Sequence, residues 1–141
     1  MITSTVSIKN AGHVTTTVTV KNLGDEILAS QGLMPSEQVR SVTIENVLVK
    51  TRTNRLCLPA DVIAKLGLKF EEEVGVQTAT GIRTFRLFND LVLTLQGRNA
   101  YSSCIELPEG ESAILGLIPL EELGLRPDVD NQQLVEVMDR I

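Results

Sequence analysis

Residues 48–68, LVKTRTNRLCLPADVIAKLGL, contain the clearest local structural signals in the chain. The apolar segments LV and RLCLP predict two short strands, which are separated by the polar loop KTRTN. Pro59 suits the start of a helix, and Gly67 is a typical helix terminator. Between them, Val62, Ile63 and Leu66 fall on one helical face. The stretch therefore predicts a strand, a loop, a second strand and a short helix.

The N-terminal residues 1–22 are expected to form a β-hairpin. The segments ITSTVSI and VTTTVTV alternate apolar residues with Thr or Ser, which is the period of a half-buried strand. The intervening KNAGH contains the Asn and Gly that a hairpin loop favours.

A short helix and a strand are predicted between this hairpin and residue 48. The segment LGDEILASQGL places Asp25 and Glu26 where the helix dipole favours acids, and Gly32 is suited to end the helix. After a turn at Pro35, residues 39–49 have the pattern of a strand.

Beyond residue 68 the chain reads as a β-meander. VGVQTAT and IRTFRLF are predicted strands joined at Thr80-Gly81, and LVLTL and AYSSCIEL are strands joined through QGRN. The segment AILGLIPLEELGL begins as a strand and continues as a helix. In that helix Leu117, Leu120 and Leu123 are expected to face the core.

The end of the chain completes an all-β pattern. The tail from Asp128 to Met138 is expected to be extended, with VEVM as an edge strand. Roughly ten short strands with two or three short helices predict a mostly β fold, a small closed β-barrel. With 141 residues and no break in composition, residues 1–141 are expected to form one domain.

Three segments, taken in this order, resemble the retropepsin-like aspartic proteases, especially their small single-domain bacterial members. LVKTRTNRLCLPADVIAKLGL corresponds to the family's catalytic strand, loop, strand and helix. TATGIRTFRL resembles the flap hairpin, with Thr80-Gly81 at its tip, and the flap and groove residues are Thr78, Ala79, Thr80, Gly81 and Ile82. AILGLIPLEELGLRPDVDNQQL resembles the Ile-Leu-Gly strand, here Ile114, Leu115 and Gly116, and the helix that follows it. Together these segments cover most of a family-like core over residues 40–135.

The resemblance places a degenerate active-site loop at Lys50, Thr51, Arg52 and Thr53. In the family two aspartates, one per half or protomer, share a proton and activate a water molecule. Lys50 occupies the aspartate position, and a lysine of ordinary pKa is cationic and has no acceptor. Arg52 occupies the position of a glycine, so the loop is expected to be reshaped. We therefore expect no catalytic residue in this loop. Lys50, Arg52 and Arg55 are expected either to have a binding role or to form a solvated basic loop that has no role at all.

Composition and single residues exclude several other classes of function. The net charge of -5 and the 3% of aromatic residues disfavour nucleic acid as a partner. No apolar run is long enough for a membrane span, and the N-terminus does not resemble a signal peptide, so a cytoplasmic protein without membrane association is expected. Cys57 and Cys104 are read as small buried thiols, and His13 as a surface residue. Neither a metal nor another cofactor is expected.

The remaining acidic residues are read as structural. Asp61 falls in the first turn of a helix, and the glutamates at 71–73 read as a solvated strand entrance, because adjacent strand residues face opposite ways. The other aspartates considered lie outside the family motifs and comprise Asp25, Asp90, Asp128, Asp130 and Asp139.

These observations predict a catalytically inactive homologue that binds a peptide or protein as a homodimer, with its groove beneath residues 78–84. The dimer is expected to turn its two Lys50 side chains apart, because like charges repel. One alternative is an active aspartic peptidase with a displaced carboxylate. The other is a swapped-hairpin DNA-binding regulator, which the segment RLCLPADVIAKLGLKFEEEVGV also resembles.

Overall fold

The computed structural model describes residues 13–138, and these residues form mostly β-strands, as predicted. The helices are α1 (Leu23–Ser30), α2 (Ala60–Leu66) and α3 (Leu117–Leu123), and a 3-10 turn covers Ser36–Gln38. The strands are β1 (Val14–Asn22), β2 (Ser41–Val49), β3 (Leu56–Pro59), β4 (Lys69–Thr78), β5 (Gly81–Leu95), β6 (Arg98–Leu107), β7 (Ile114–Leu115), β8 (Leu125–Asp128) and β9 (Gln133–Glu136). The first strand of the hairpin predicted over residues 1–22 lies outside the described residues.

Seven strands form one sheet in the order β1-β2-β7-β3-β6-β5-β4. The short strand β7 runs parallel to β2 and antiparallel to β3, so it lies between two strands that are consecutive in the sequence. The end of β1 also pairs with β5, from Thr19 opposite Thr94 to Asn22 opposite Leu91. Strands β8 and β9 form a separate antiparallel hairpin. Among the pairings described, β4 has β5 as its neighbour, which leaves its other side as a sheet edge.

The main core lies on the inner face of this sheet, against α2, α3 and the β8–β9 hairpin. As predicted, Val62, Ile63 and Leu66 of α2 are buried, and Gly67 ends the helix with a left-handed backbone. The fully buried side chains include Leu56, Leu58, Leu91, Leu93, Leu115 and Cys104. An aliphatic interior of this kind follows from a sequence rich in Val, Leu and Ile.

An ion pair between the buried Asp25 and the exposed Arg40 fastens α1 to the chain before β2. Asp25 accepts three hydrogen bonds from Arg40, from the backbone nitrogen at 3.0 Å, from Nε at 2.8 Å and from Nη2 at 3.0 Å. These side-chain bonds, followed by the backbone bond, lower the pKa of Asp25 below its usual value. The Arg40 guanidinium also occupies the place that a Cβ at residue 67 would take, so Gly67 is needed both for space and for its φ of 61°.

The strand predictions around residue 90 were wrong in one respect. IRTFRLF and LVLTL were predicted as separate strands, but both belong to β5. The pairing of β5 with β6 shifts register between Phe88 and Leu91, and Asp90 has a φ of 66°. These are the features of a β-bulge, which lets one long strand bend without ending.

Three smaller predictions are also corrected. Leu117 does not face the core, since 36% of it is exposed and only Leu120 and Leu123 of the predicted trio are buried. The second strand begins at Ser41 rather than at residue 39, because a 3-10 turn precedes it. The C-terminal tail is a hairpin of β8 and β9, and the sharp turn between them has Gln132 at a φ of 52°.

Candidate functional site

The loop between β2 and β3, residues 50–55, is called the basic loop here. It is held against β7, because Lys50 donates its backbone N–H to the carbonyl of Leu115 at 3.1 Å. Thr53 donates its backbone N–H to the Lys50 carbonyl, also at 3.1 Å, which closes a turn. Thr51 and Arg52 at the tip of this turn are exposed, while Lys50 and Thr53 are half-buried.

Gly116 lets the chain after β7 approach the backbone of the basic loop closely. A Cβ at this position would lie 2.6 Å from the carbonyl oxygen of Thr53 and 2.7 Å from the nitrogen of Arg55. The next two residues, Leu117 and Ile118, donate their N–H groups to the carbonyls of Thr53 and Asn54 at 2.8 and 2.9 Å. The first and third of the three family-like segments are therefore in direct contact.

A second apolar group, called the outer cluster here, lies on the other face of the sheet. Its buried members are Cys57, Leu87 and Ile105, and its partly buried members are Val74, Val76, Phe85, Leu107 and Ile114. Direct cross-strand pairs share a face of a sheet. The pairs Ile114 with Cys57, Cys57 with Ile105, and Ile105 with Leu87 therefore form one continuous apolar row across β7, β3, β6 and β5.

The basic loop and the outer cluster meet at Cys57. The thiol of Cys57 donates a weak hydrogen bond to the Arg55 carbonyl at 3.8 Å. Burial raises the pKa of this thiol to about 11, and the positive charges of Arg55 and Lys50 act in the opposite direction. The basic loop and the apolar row are therefore in contact through Cys57 and Arg55.

The hairpin between β4 and β5 ends in an ordered polar turn. Thr78 Oγ1 donates to the Gly81 carbonyl at 2.6 Å and accepts the N–H of Thr80 at 3.3 Å. Gly81 has a φ of 114°, which suits a glycine, and Ala79 is exposed. Ile82, just beyond the turn, is 76% exposed, so the hairpin tip presents an apolar side chain to solvent.

An open cleft of about 360 Å³ lies on another side of the basic loop. It is lined by His13, Val14, Val49, Lys50, Thr51, Arg52, Thr53, Pro127 and Val129. His13, predicted as a surface residue, is half-buried at this cleft. None of the described residues that line the cleft is an aspartate or glutamate, so these residues supply no carboxylate to activate a water molecule.

Both cations and acids flank the outer cluster. Within residues 13–138, Lys50, Arg55 and Arg83 have no ion-pair partner. Arg83 lies opposite Val76 in the register, and its guanidinium carbon lies 5.4 Å from the centre of the Phe85 ring. The acid Glu72 shares this face, since it pairs directly with Leu87. The apolar row therefore ends beside an acid on β4, while Arg83 lies four residues along β5 from Leu87.

The other predicted site residues are separated from this surface or have structural roles. Cys104 is buried in the main core, where burial raises its pKa to about 12. Asp90 belongs to the bulge of β5, and Asp128 accepts hydrogen bonds from Asn131. Asp61 lies in the first turn of α2, and the glutamates at 71–73 are exposed on β4, as predicted. Over residues 13–138, no three His, Cys, Asp or Glu side chains come together as a metal site.

A further cavity, of about 410 Å³, lies beside α1. Its lining is mainly apolar and includes Ile27, Leu28 and Leu68. Asp25 and Asp90 also line it, but no residue of the basic loop or of the flap hairpin does, so it is a separate surface.

Sequence reasoning did not identify the outer cluster. Its signal is present in RLCLP and CIEL, where apolar residues occupy successive positions and can therefore face both sides of a sheet. Which of these residues meet is decided by the position of β7, which local sequence does not specify.

Comparison with known proteins does not place the chain in a family. No protein-family model matches the sequence, and no curated protein matches it. In the described part of the chain, the helices are all too short or too polar to cross a bilayer.

Proposed function

We propose that this chain is a catalytically inactive retropepsin-like homologue that binds extended peptides without hydrolysing them. The observation that supports this most is the contact between the basic loop and the outer cluster. At Cys57 an apolar row meets a loop that presents Lys50 and Arg55, with no carboxylate among the described residues of the adjoining cleft.

The fold part of the proposal rests on how the three family-like segments are arranged. The strand β7 lies between β2 and β3, and Gly116 packs against the basic loop. The pairing of β1 with β5 connects the two ends of the series β1, β2, β7, β3, β6 and β5. This ring of pairings supports a small closed barrel of the retropepsin type, with the β4–β5 hairpin as its flap.

The absence of catalysis is proposed from the chemistry of the loop. A lysine at position 50 supplies a cation and no acceptor, so it cannot share a proton with a second carboxylate. Arg52 in place of glycine adds a side chain at the turn. The alternative in the enzyme class is an active peptidase with a displaced carboxylate. Its catalytic aspartate or glutamate would have to come from a residue other than those described at the cleft.

A homodimer is part of the same proposal. Exposed apolar side chains near the C-terminal end of the described chain include Ile118, Val129, Val137 and Met138. A specific interface formed by such residues would bury at least about 1,000 Å². Light scattering at tens of micromolar protein should give the mass of two chains, and the mass of one chain would rule the dimer out.

The DNA-binding alternative has less support. A swapped hairpin would use residues 55–76 alone, whereas here the helix α2 packs with strands from both sides of this stretch. A gel shift with random duplex DNA at low salt distinguishes this alternative, since phosphate contacts are strongest there.

The proposed function can be tested by selecting a displayed peptide library on the immobilised protein. We expect enrichment of peptides with alternating apolar residues, and recovery of these peptides uncut. Val76→Glu puts a charge into the outer cluster and should abolish the enrichment, whereas Gln77→Glu puts the same charge on the opposite face of β4 and should not. Equal enrichment by both variants would place the binding elsewhere. Cleavage of a denatured protein that pepstatin abolishes would show instead that the chain is a peptidase.

A further inference from the structure

The open cleft of about 360 Å³ beside the basic loop combines positive charge with hydrogen-bond donors. Lys50 and Arg52 line it, and neither has an ion-pair partner within residues 13–138. Thr51 and Thr53 add hydroxyl groups, and the imidazole of His13 can donate a hydrogen bond whether it is neutral or charged. The cleft therefore offers donors from several side chains to a negatively charged group.

The turn at the tip of the basic loop adds backbone donors. Thr53 donates its N–H to the Lys50 carbonyl, which makes Thr51 and Arg52 the two central residues of the turn. Within the described residues, no backbone carbonyl accepts the N–H of either one. Successive N–H groups of a turn that lack a protein acceptor are suited to binding anions.

The acids that adjoin the lining in sequence are Asp128 and Asp130, and neither of them lines the cleft. Asp128 accepts hydrogen bonds from Asn131, from Nδ2 at 2.7 Å and from the backbone nitrogen at 3.4 Å, and Asp130 is exposed. Residues 1–12 contain no Asp or Glu. Since the whole chain has a net charge of -5, the positive character of the cleft is a local feature.

The rest of the lining is apolar and comprises Val14, Val49, Pro127 and Val129. Val14 and Val49 are buried and pair directly between β1 and β2, so they form the floor of the cleft. Val129 is 50% exposed and Pro127 is half-buried, which leaves apolar surface for a ligand to cover. The volume lies within the range of about 300–1,000 Å³ that is typical of small-molecule sites.

We infer that this cleft binds a small organic oxyanion, in which a phosphate or carboxylate is attached to a compact apolar group. The oxyanion meets Lys50, Arg52 and the donors of the turn, since lysine and arginine are the usual partners of both kinds of anion. The apolar group lies against Pro127 and Val129. Binding here goes beyond the proposed function, because it does not require a peptide at the outer cluster.

The test is isothermal titration of the whole chain with four small molecules in low salt. Benzoate carries the carboxylate, and benzamide is its uncharged control of the same shape. Phenyl phosphate carries the phosphate, and inorganic phosphate is its control without an apolar group. We expect benzoate to bind at least about tenfold more tightly than benzamide, with the difference shrinking as salt is added. Phenyl phosphate should bind at least about fivefold more tightly than inorganic phosphate, because its ring covers apolar surface. The tighter of benzoate and phenyl phosphate identifies the preferred anion.

Protein variants locate the binding. Arg52→Gln, at an exposed position, and Lys50→Gln should each weaken both organic anions by about threefold and leave benzamide unchanged. Val129→Asn should weaken phenyl phosphate and leave inorganic phosphate unchanged. Lys65→Gln removes an exposed cation of α2 that does not line the cleft, and it should leave all four affinities unchanged.

Three results would overturn the inference. The first is equal affinity for benzoate and benzamide, and the second is equal affinity for phenyl phosphate and inorganic phosphate. The third is a loss of affinity with Lys65→Gln as large as with Arg52→Gln, because the surface would then attract anions in general. If the organic anions bind as expected and the library selection yields no peptide, the oxyanion site stands and the proposed function fails. Enrichment of peptides without anion binding has the opposite meaning.

Discussion

Replacement of Gly116 by alanine tests whether the contact between β7 and the basic loop holds the candidate site together. A Cβ at this position would lie 2.6 Å from the Thr53 oxygen and 2.7 Å from the Arg55 nitrogen. The atom nearest to that Cβ would be the carbonyl oxygen of Arg55. Ordinary contacts need about 3.5 Å, so the loop must move by about 1 Å. Gly116 has a φ of -89°, which alanine adopts freely, and the cost is therefore steric only.

The size of the effect follows from what that movement disturbs. Overpacking of a close contact costs about 1–3 kcal/mol. The same shift stretches the bonds from Leu117 to Thr53 and from Ile118 to Asn54, each of which contributes about 0.5–1.5 kcal/mol. We predict that Gly116→Ala lowers the free energy of unfolding by about 2–4 kcal/mol, a large share of the stability of an ordinary domain.

Urea unfolding followed by circular dichroism measures this change, and Gly75→Ala is the matched control. A Cβ at residue 75 would lie 3.5 Å from Ile82 Cγ2, which is an ordinary contact, so its effect should stay within about 0.5 kcal/mol. The reasoning is refuted if Gly116→Ala is as stable as the control. Peptide affinity should fall with Gly116→Ala even at temperatures where the variant is folded, because the loop is displaced from Cys57.

Three further predictions concern single side chains. Asp25→Asn should destabilise the fold at neutral pH. Because Arg40 lowers the pKa of Asp25, the extra stability of the wild type should be lost as the pH falls below about 4 and through the folded-state pKa. Unfolding curves measured from pH 7 to 2 would contradict the ion pair if the difference in stability between the two proteins stayed the same throughout. Cys57, with its pKa raised to about 11, should react with Ellman's reagent at pH 8 only after the protein unfolds. Fast reaction of the native protein would show that the Cys57 thiol in the outer cluster is accessible to the reagent. Lys50→Asp alone should not create peptidase activity, since Arg52 still alters the loop, and cleavage by this variant that pepstatin blocks would show that the loop had kept the family's geometry.

The elements with strong local signals were predictable from the sequence. Pro59 and Gly67 mark the ends of α2, and the alternating pattern from Val14 onward marks β1, so both were placed to within about two residues. The bulge at Asp90 was not predictable, because Asn89 and Asp90 tolerate the left-handed backbone of a bulge and that of a turn between strands equally well.

Long-range features were less accessible. Asp25 and Arg40 are fifteen positions apart, and their bond depends on how α1 docks against the start of β2. Leu117 was assigned to the core by helical spacing, but α3 is short and its first turn lies at the surface. The basic loop was located through resemblance, whereas the outer cluster depends on β7 lying between β2 and β3, and two residues are too few to specify their strand partners.

The central claim, that the outer cluster and the basic loop form a peptide-binding site without hydrolysis, is tested most directly by nuclear magnetic resonance. Amide spectra of the ¹⁵N-labelled chain would be recorded during titration with a peptide recovered from the library selection, and the peptide's own signals would be followed in the same tube for several days. The account predicts shifts concentrated at Cys57, Ile105, Ile114 and the basic loop, with the peptide intact throughout. Shifts centred instead on Ile27 beside α1, or the appearance of peptide fragments, would contradict it.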